Sequence, residues 1–383
     1  MAFPVSRAYH PPMSRPSSPV PRLAALLLTL AVPLATPTPG AAEDAVPEPP
    51  ETDDWTSGFL ESPSFGRPFV SEIHSPQLKV EIGYSKSYSE FNLSEKSERF
   101  DRPVVEAHIG ALIPLYAHSW GPWSFGSTLP ISVHVLEDMF DPITAPVINT
   151  DYRFGGPRFT LLRKLGSEGF VRNVAVSWLP WFHECTHLGD EITIYRKDAD
   201  LPITRINVSY EFTDLQLTLN DPSDIFETLH SFRLGTSVRL SSRELGWFGV
   251  RGEVEADEDL NLKKSEQWVE SYAQYEFQRA DGPLASQRFT NVFSFEARRR
   301  LRYGYPLYKY ENDAWTTTDV KESMNWTFNA YFGWKFRSAS ALREQDPRAL
   351  GLYFHFYRGI NPYGQLRNYP GYPFFGLSLA YDP

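Results

Sequence analysis

The chain has a single cysteine, Cys185, among 383 residues. No intramolecular disulfide is therefore possible, and stability has to come from packing and hydrogen bonding. It also lacks any run of ~18 consecutive apolar residues of the kind that spans a membrane as a helix, and its mean hydropathy is −0.37. Basic charge is in deficit: 37 Lys and Arg stand against 47 Asp and Glu, a net of −10. Without a basic stripe, nucleic-acid binding is not expected. No repeat of solenoid period is present. Aromatic residues, by contrast, are plentiful: 10 Trp, 20 Tyr and 27 Phe make up 15% of the chain. In a chain without apolar helices, that enrichment suits the aromatic girdles of a membrane β-barrel.

The N-terminus reads as an export signal. Arg15 and Arg22 precede an apolar stretch over 23–34, and the small residues Gly40, Ala41 and Ala42 follow. This order predicts a signal peptide over residues 1–42, its apolar part being too short for the ~20 residues of a spanning helix. Residues 43–76 carry Glu43, Asp44, Asp53, Asp54 and many prolines. They are expected to form an acidic, proline-rich periplasmic lead-in. Residues 77–383 are expected to form one barrel domain.

From Gln77 onward the dominant pattern has period two. Leu78, Val80, Ile82 and Tyr84 alternate with Gln77, Lys79, Glu81 and Gly83. Val105, Ala107, Ile109, Ala111 and Ile113 alternate with Glu106, His108 and Gly110, and Trp326, Phe328, Phe332 and Trp334 alternate with Thr327, Asn329 and Lys335. Such alternation separates the two faces of a sheet. The runs match the ~9–11 residues of membrane-crossing strands better than the ~5–6 of globular ones. Their second face carries Arg, Glu, Lys and Gln, where a sandwich core would be apolar. The expectation is an all-β protein: a transmembrane antiparallel β-barrel of twelve strands, with fourteen as the alternative, apolar outside and polar within.

Chemistry concentrates at one strand end, His183-Glu184-Cys185-Thr186-His187-Leu188-Gly189-Asp190-Glu191. Positions i and i+2 of a strand share a face, so His183 could deprotonate the Cys185 thiol and make it a nucleophile. The parity of the preceding run Asn173, Ala175, Ser177 places His183, Cys185 and His187 toward the lumen. A bulge at Pro180 would reverse that, since proline in sheets marks bulges and edges. A zinc site is not expected, because three alternate residues of a straight strand span roughly 13 Å. The plainest reading is a hydrogen-bonded corner where strand becomes loop.

This segment resembles the His-x-Ser-Ser-His-Leu-Gly-Asp-Glu segment of an uncharacterised family of bacterial outer-membrane barrels, with Cys185 and Thr186 in place of two serines. Arg205-Ile206-Asn207 and Asn361-Pro362-Tyr363-Gly364-Gln365 fit the same family. The resemblance implies location and fold, and marks His187, Asp190, Glu191, Arg205, Asn207, Asn361 and Gln365 as binding candidates. A second resemblance, of His183-x-Cys185 to the His-x-Ser of outer-membrane phospholipase A, implies a lipid-facing dyad with calcium held near Asp190 or Glu191.

Two function classes follow. The first is a transport, porin-like or structural barrel with no cofactor. The alternative is a lipid-acting hydrolase using His183 and Cys185. The expected partners are outer-membrane lipids, lipopolysaccharide and the barrel-assembly machinery; oligomeric state is open. Arg298, Arg299, Arg300 and Arg302 suit either phosphates at the outer rim or an interior ladder neutralised by Glu296, the ladder being favoured.

Overall fold

The computed structural model describes residues 56–60, 63, 65–85, 102–137, 147–166, 169–188, 203–221, 228–250, 253–255, 267–279, 289–311, 314–336, 349–363 and 372–382. The strands are β1 (Thr56–Phe59), β2 (Leu78–Ser85), β3 (Arg102–Trp120), β4 (Trp123–Glu137), β5 (Val147–Gly155), β6 (Arg158–Lys164), β7 (Asn173–Leu188) and β8 (Ile203–Leu219). They continue as β9 (Leu229–Val250), β10 (Glu253–Glu255), β11 (Gln267–Arg279), β12 (Phe289–Glu311), β13 (Ala314–Phe336), β14 (Ala349–Gly359) and β15 (Tyr372–Asp382).

Neighbours in sequence pair antiparallel around a ring, and β15 returns to β2, with Tyr381 opposite Leu78. β5 and β6 are two halves of one interrupted strand, both lying between β4 and β7. With β1 and β10 as extra strands, the result is a closed twelve-stranded barrel. Closure satisfies every strand edge, which a wall facing lipid requires.

The two faces divide as the alternation predicts. Leu78, Val80, Ile82 and Tyr84 point outward while Lys79 and Glu81 are buried. On β13, Phe332 is 50% exposed and Phe328 is exposed beside it, whereas Asn329, Tyr331 and Lys335 are buried. The apolar outer row is that of an outer-membrane β-barrel.

The lumen is filled with charge and hydrogen bonds. Arg298 pairs with Glu270 and, at 2.8 Å, with Glu296, while Arg300 pairs with Glu270. Arg298, Arg300 and Arg302 are all buried. These three are an interior ladder, not a phosphate-binding rim.

Residues 65–76, part of the expected periplasmic lead-in, run through the barrel's interior. Backbone N–H groups of Gly66, Val70 and Ser71 donate to Asp221 (2.9 Å), Glu276 (2.8 Å) and Ser294 (3.1 Å), and Asn329 donates to the Ser71 carbonyl at 2.8 Å. Glu72 lies 2.6 Å from Arg233, whose guanidinium also stacks over Phe69. Barrel side chains thus take up the backbone polarity that would forbid irregular chain at this depth. Burial, reinforced by the Arg153, Arg298 and Arg300 charges, holds the His74 imidazole well below its usual range, so it is neutral. From the other end, residues 360–363 fold in. Ile360 N–H donates to Thr327 at 3.1 Å, and Asn361 and Tyr363 are buried.

Candidate functional site

The strand that carries the His183 segment does not keep its parity. Between Leu179 and Phe182 its register against β8 slips by one residue, because Pro180 has no N–H to give the ladder. Thr213 Oγ1 donates to the Leu179 carbonyl at 3.0 Å, and Gly156 N–H, at the break between β5 and β6, donates to the Trp181 carbonyl at 2.9 Å. The bulge therefore uses both neighbouring strands to satisfy the carbonyls it leaves. Its consequence is a flip. Ala175, Ser177 and Leu179 point inward below it, and Phe182, Glu184 and Thr186 point inward above it. His183, Cys185 and His187 face out, not into the lumen as simple alternation predicts.

On β8 Ile206, Val208, Tyr210 and Phe212 alternate with Asn207, Ser209 and Glu211, and here the apolar row is not the outward one. Tyr210 and Phe212 are buried in the lumen with Leu179, Phe182 and Trp268. The outward row of β8 runs Leu219, Leu217, Leu215 and then Thr213, Glu211, Ser209 as it rises toward Ile203. At this corner aromatic side chains of β8 point into the interior, and His183, Ser209 and Glu211 sit on the wall among Tyr152, Phe154 and Trp181.

Register brings the outward polar residues together. His183 lies directly opposite Glu211, and Cys185 opposite Ser209. His183 Nε2 is 3.4 Å from Ser209 Oγ, and His183 Nδ1 is 3.9 Å from Glu211 Oε1. Hydroxyl, imidazole and carboxylate thus follow one another in the order of a nucleophile, a base and a group that orients the base. Cys185 Sγ instead meets His187 Nε2 at 3.7 Å, so the thiol and His183 do not form the expected dyad. The aromatic surroundings are dense: the His183 ring centroid is 5.0 Å from Phe154 and 6.2 Å from Trp181, and His187 lies edge-on to Tyr152. Aromatic side chains of this kind collect at lipid headgroup depth.

Behind the wall, Arg153 holds the corner. Its Nε lies 2.7 Å from Glu184 Oε2, its Nη2 3.5 Å from Asp151, and its Nη1 2.9 Å from His134 Nδ1. Its Nη2 also reaches the Pro362 carbonyl at 3.5 Å. Thr186 donates to Asn149, which donates to Asp151. Two of the three quoted sequence pieces, around His183 and Asn361, therefore meet through Arg153. Asn361 accepts from Tyr363 N–H at 2.9 Å within the inward-folded segment. The third piece enters only through backbone register, with Arg205 opposite Trp247 and Asn207 opposite Leu245 on β9. Asp190, Glu191 and Gln365 lie outside the described residues.

Ser209 and Glu211 were missed in the sequence because the Ile206–Phe212 alternation assigns them to the lumen. Only the register across β7 and β8 reveals that they answer His183.

No protein-family model matches this chain, and no curated protein matches it. Among solved structures it is similar to the translocator domain of the autotransporter NalP from Neisseria meningitidis, at 8% identity and a TM-score of 0.36, over 82% of this chain and 91% of that one. It is also similar to a loop-deletion form of OmpT, an outer-membrane protein of Vibrio cholerae, at 8% identity and a TM-score of 0.21, over 80% and 97%.

Proposed function

We propose that this chain is exported through residues 1–42, assembled into the outer membrane by the barrel-assembly machinery, and acts there as a lipid-ester hydrolase at its outer wall. The observation that carries the reading is the line Ser209–His183–Glu211 on the lipid-facing side, where polar groups are costly and mark function by default. A porin-like role is disfavoured by what fills the lumen. A cavity beside Glu106 and another beside Asp214 each have about 20 Å³ of free volume, room for a single water.

In this reading Ser209 Oγ attacks the ester carbonyl of a glycerophospholipid while His183 Nε2 takes its proton. Collapse of the tetrahedral adduct breaks the ester bond, and His183 returns the proton to the departing alcohol. Water, deprotonated by His183, then releases the fatty acid from Ser209. Glu211 fixes the imidazole and offsets its charge. The 3.4 Å and 3.9 Å separations are those of a site without substrate, in which such contacts are commonly long. The aromatic belt around His183 sets the site at the depth of the ester groups, so the substrate need not leave the bilayer.

The test is release of fatty acid from mixed phospholipid–detergent micelles by the purified, folded protein. Ser209→Ala and His183→Ala should each abolish turnover, Glu211→Gln should lower it by roughly 10–100-fold, and Cys185→Ala should keep it. An inactive wild type sinks the reading. Loss in Cys185→Ala with retention in Ser209→Ala would move the nucleophile to the thiol.

A further inference from the structure

The lumen holds a second cluster, far from the outer wall in chemistry and independent of the hydrolase reading. Glu81 on β2 and Glu106 on β3 stand directly opposite each other, both pointing inward and both buried. Like charges in that position destabilise a sheet unless something positive lies between them. Lys79, one inward position along β2, approaches Glu81 Oε1 at 3.3 Å. Among the described residues Glu106 is ion-paired only to His108, at 3.8 Å. Lys79 and His355 both stand on the Glu81 side of the pair, Glu106 having His108.

Hydrogen bonding is incomplete at the same point. The His108 side chain is 10% exposed, and neither ring nitrogen has a hydrogen-bond partner. Glu81 Oε2 is 2.7 Å from His355 Nδ1. A buried polar atom without a protein partner is met by water or an ion. The other carboxylate oxygens are held in place: Tyr331 donates to Glu81 Oε1 at 2.9 Å, and Tyr372 donates to Glu106 Oε1 at 3.1 Å. One ligand atom from each of Glu81, Glu106 and His108 lies within 4.8 Å of the others. They border a cavity of about 20 Å³.

We propose that Glu81, Glu106 and His108 bind a divalent first-row transition ion of the zinc type. Two carboxylate oxygens and one imidazole nitrogen, with no sulfur, suit zinc or manganese and disfavour copper(I). Tyr331 and Tyr372 are the outer hydrogen bonds that aim the ligands. The position gives the ion a task. β2 is the strand on which β15 closes the ring, and Tyr372 belongs to β15. The ion ties β2 to β3 beside the closing seam.

The experiment uses the full mature barrel, purified in detergent, stripped with a chelator and dialysed against zinc sulfate. Folding is checked by the heat-dependent shift of the barrel on gels. Metal analysis should find one zinc per wild-type chain. The ratio should fall to background in Glu106→Gln and His108→Asn and stay unchanged in the Cys185→Ala/His187→Ala double variant. Cobalt(II) loaded into wild type should give a spectrum without a sulfur-to-metal charge-transfer band, which reads the ligands even if the inner variants fail to fold. Zinc should also raise the unfolding temperature of wild type. Absence of stoichiometric zinc overturns the proposal. So does zinc that survives His108→Asn but is lost from the outer-wall variant, or a cobalt–thiolate band, since either places the ion at Cys185.

Discussion

Arg153 Nε lies 2.7 Å from Glu184 Oε2 with both side chains fully enclosed, a contact that is an ion pair without the alignment of a hydrogen bond. It sits on the inner side of the strand pair whose outer side carries His183 and Cys185, so the lumen network fixes the wall site from behind.

Removing one partner should therefore hurt more than removing both. Arg153→Met leaves Glu184 and Asp151, on adjacent strands, as buried carboxylates without their shared cation and should destabilise the barrel by about 3–5 kcal/mol. The double variant Arg153→Met/Glu184→Met should recover part of that loss. Urea unfolding in lipid vesicles, followed by tryptophan fluorescence, measures both. Equal or additive losses would show that the ion pair does not organise this corner.

The wall makes a simpler prediction. Phe332 faces outward from β13, opposite Phe293 and opposite Phe354, which lies at the middle of β14. Phe332→Arg should cost about 2–4 kcal/mol, the loss expected for a cation at the bilayer midplane. Exposed Leu165, in the short turn between β6 and β7, should accept arginine almost freely. The same unfolding assay compares them.

Sequence alone carries the barrel and not the site, and β7 shows why. Over residues 78–84 and 326–336 the apolar row is the lipid-facing row, because lipid outside and charge inside leave no other choice. Near His183 that logic fails. Pro180 adds one residue to its strand, and the interior at this level holds Phe182, Tyr210, Phe212 and Trp268 beside the Arg153–Glu184 pair. Apolar then means inward, and parity counted from either strand reads backwards. The bulge was a legible possibility in Pro180; the exchange on β8 was not, since nothing in Ile206–Phe212 announces which row faces lipid. The inward course of residues 65–77 was equally hidden. Its polar partners, from Asp221 to Asn329, are scattered across the chain and converge only after closure.

That inner segment should loosen in acid. The neutral His74 has a folded-state pKa below its unfolded value of ~6.5, so the unfolded or released state binds the extra proton. Stability from this group is present above about pH 6.5 and declines as pH falls through that value. Limited proteolysis between pH 7.5 and 5 should cut within residues 65–77 progressively more readily. His74→Gln should flatten that dependence, while Glu72→Gln, which removes the segment's carboxylate partner for Arg233, should expose the segment at every pH. Proteolysis independent of pH in wild type would remove His74 as the cause.

Cys185 offers the sharpest check on the flip at Pro180, because as the chain's single cysteine it can be labelled without mutation. Outward placement beside His187 and Tyr152 puts a thiol-linked nitroxide at the lipid interface. In vesicles its relaxation should respond to dissolved oxygen, enriched in the bilayer, more than to a water-soluble nickel chelate. Labelling by small charged maleimides should be slow, and lipid-soluble ones should react faster. A lumen-facing thiol gives another pattern: neither collision partner would reach a label packed behind Arg153, and bulky reagents would fail in the folded barrel. Deleting Pro180 sharpens the comparison. It removes the extra residue while leaving Cys185 opposite Ser209, so the relaxation profile should stay that of the outer wall. A shift to the buried pattern on deletion would mean that the bulge, and not the pairing with β8, decides which way the site faces.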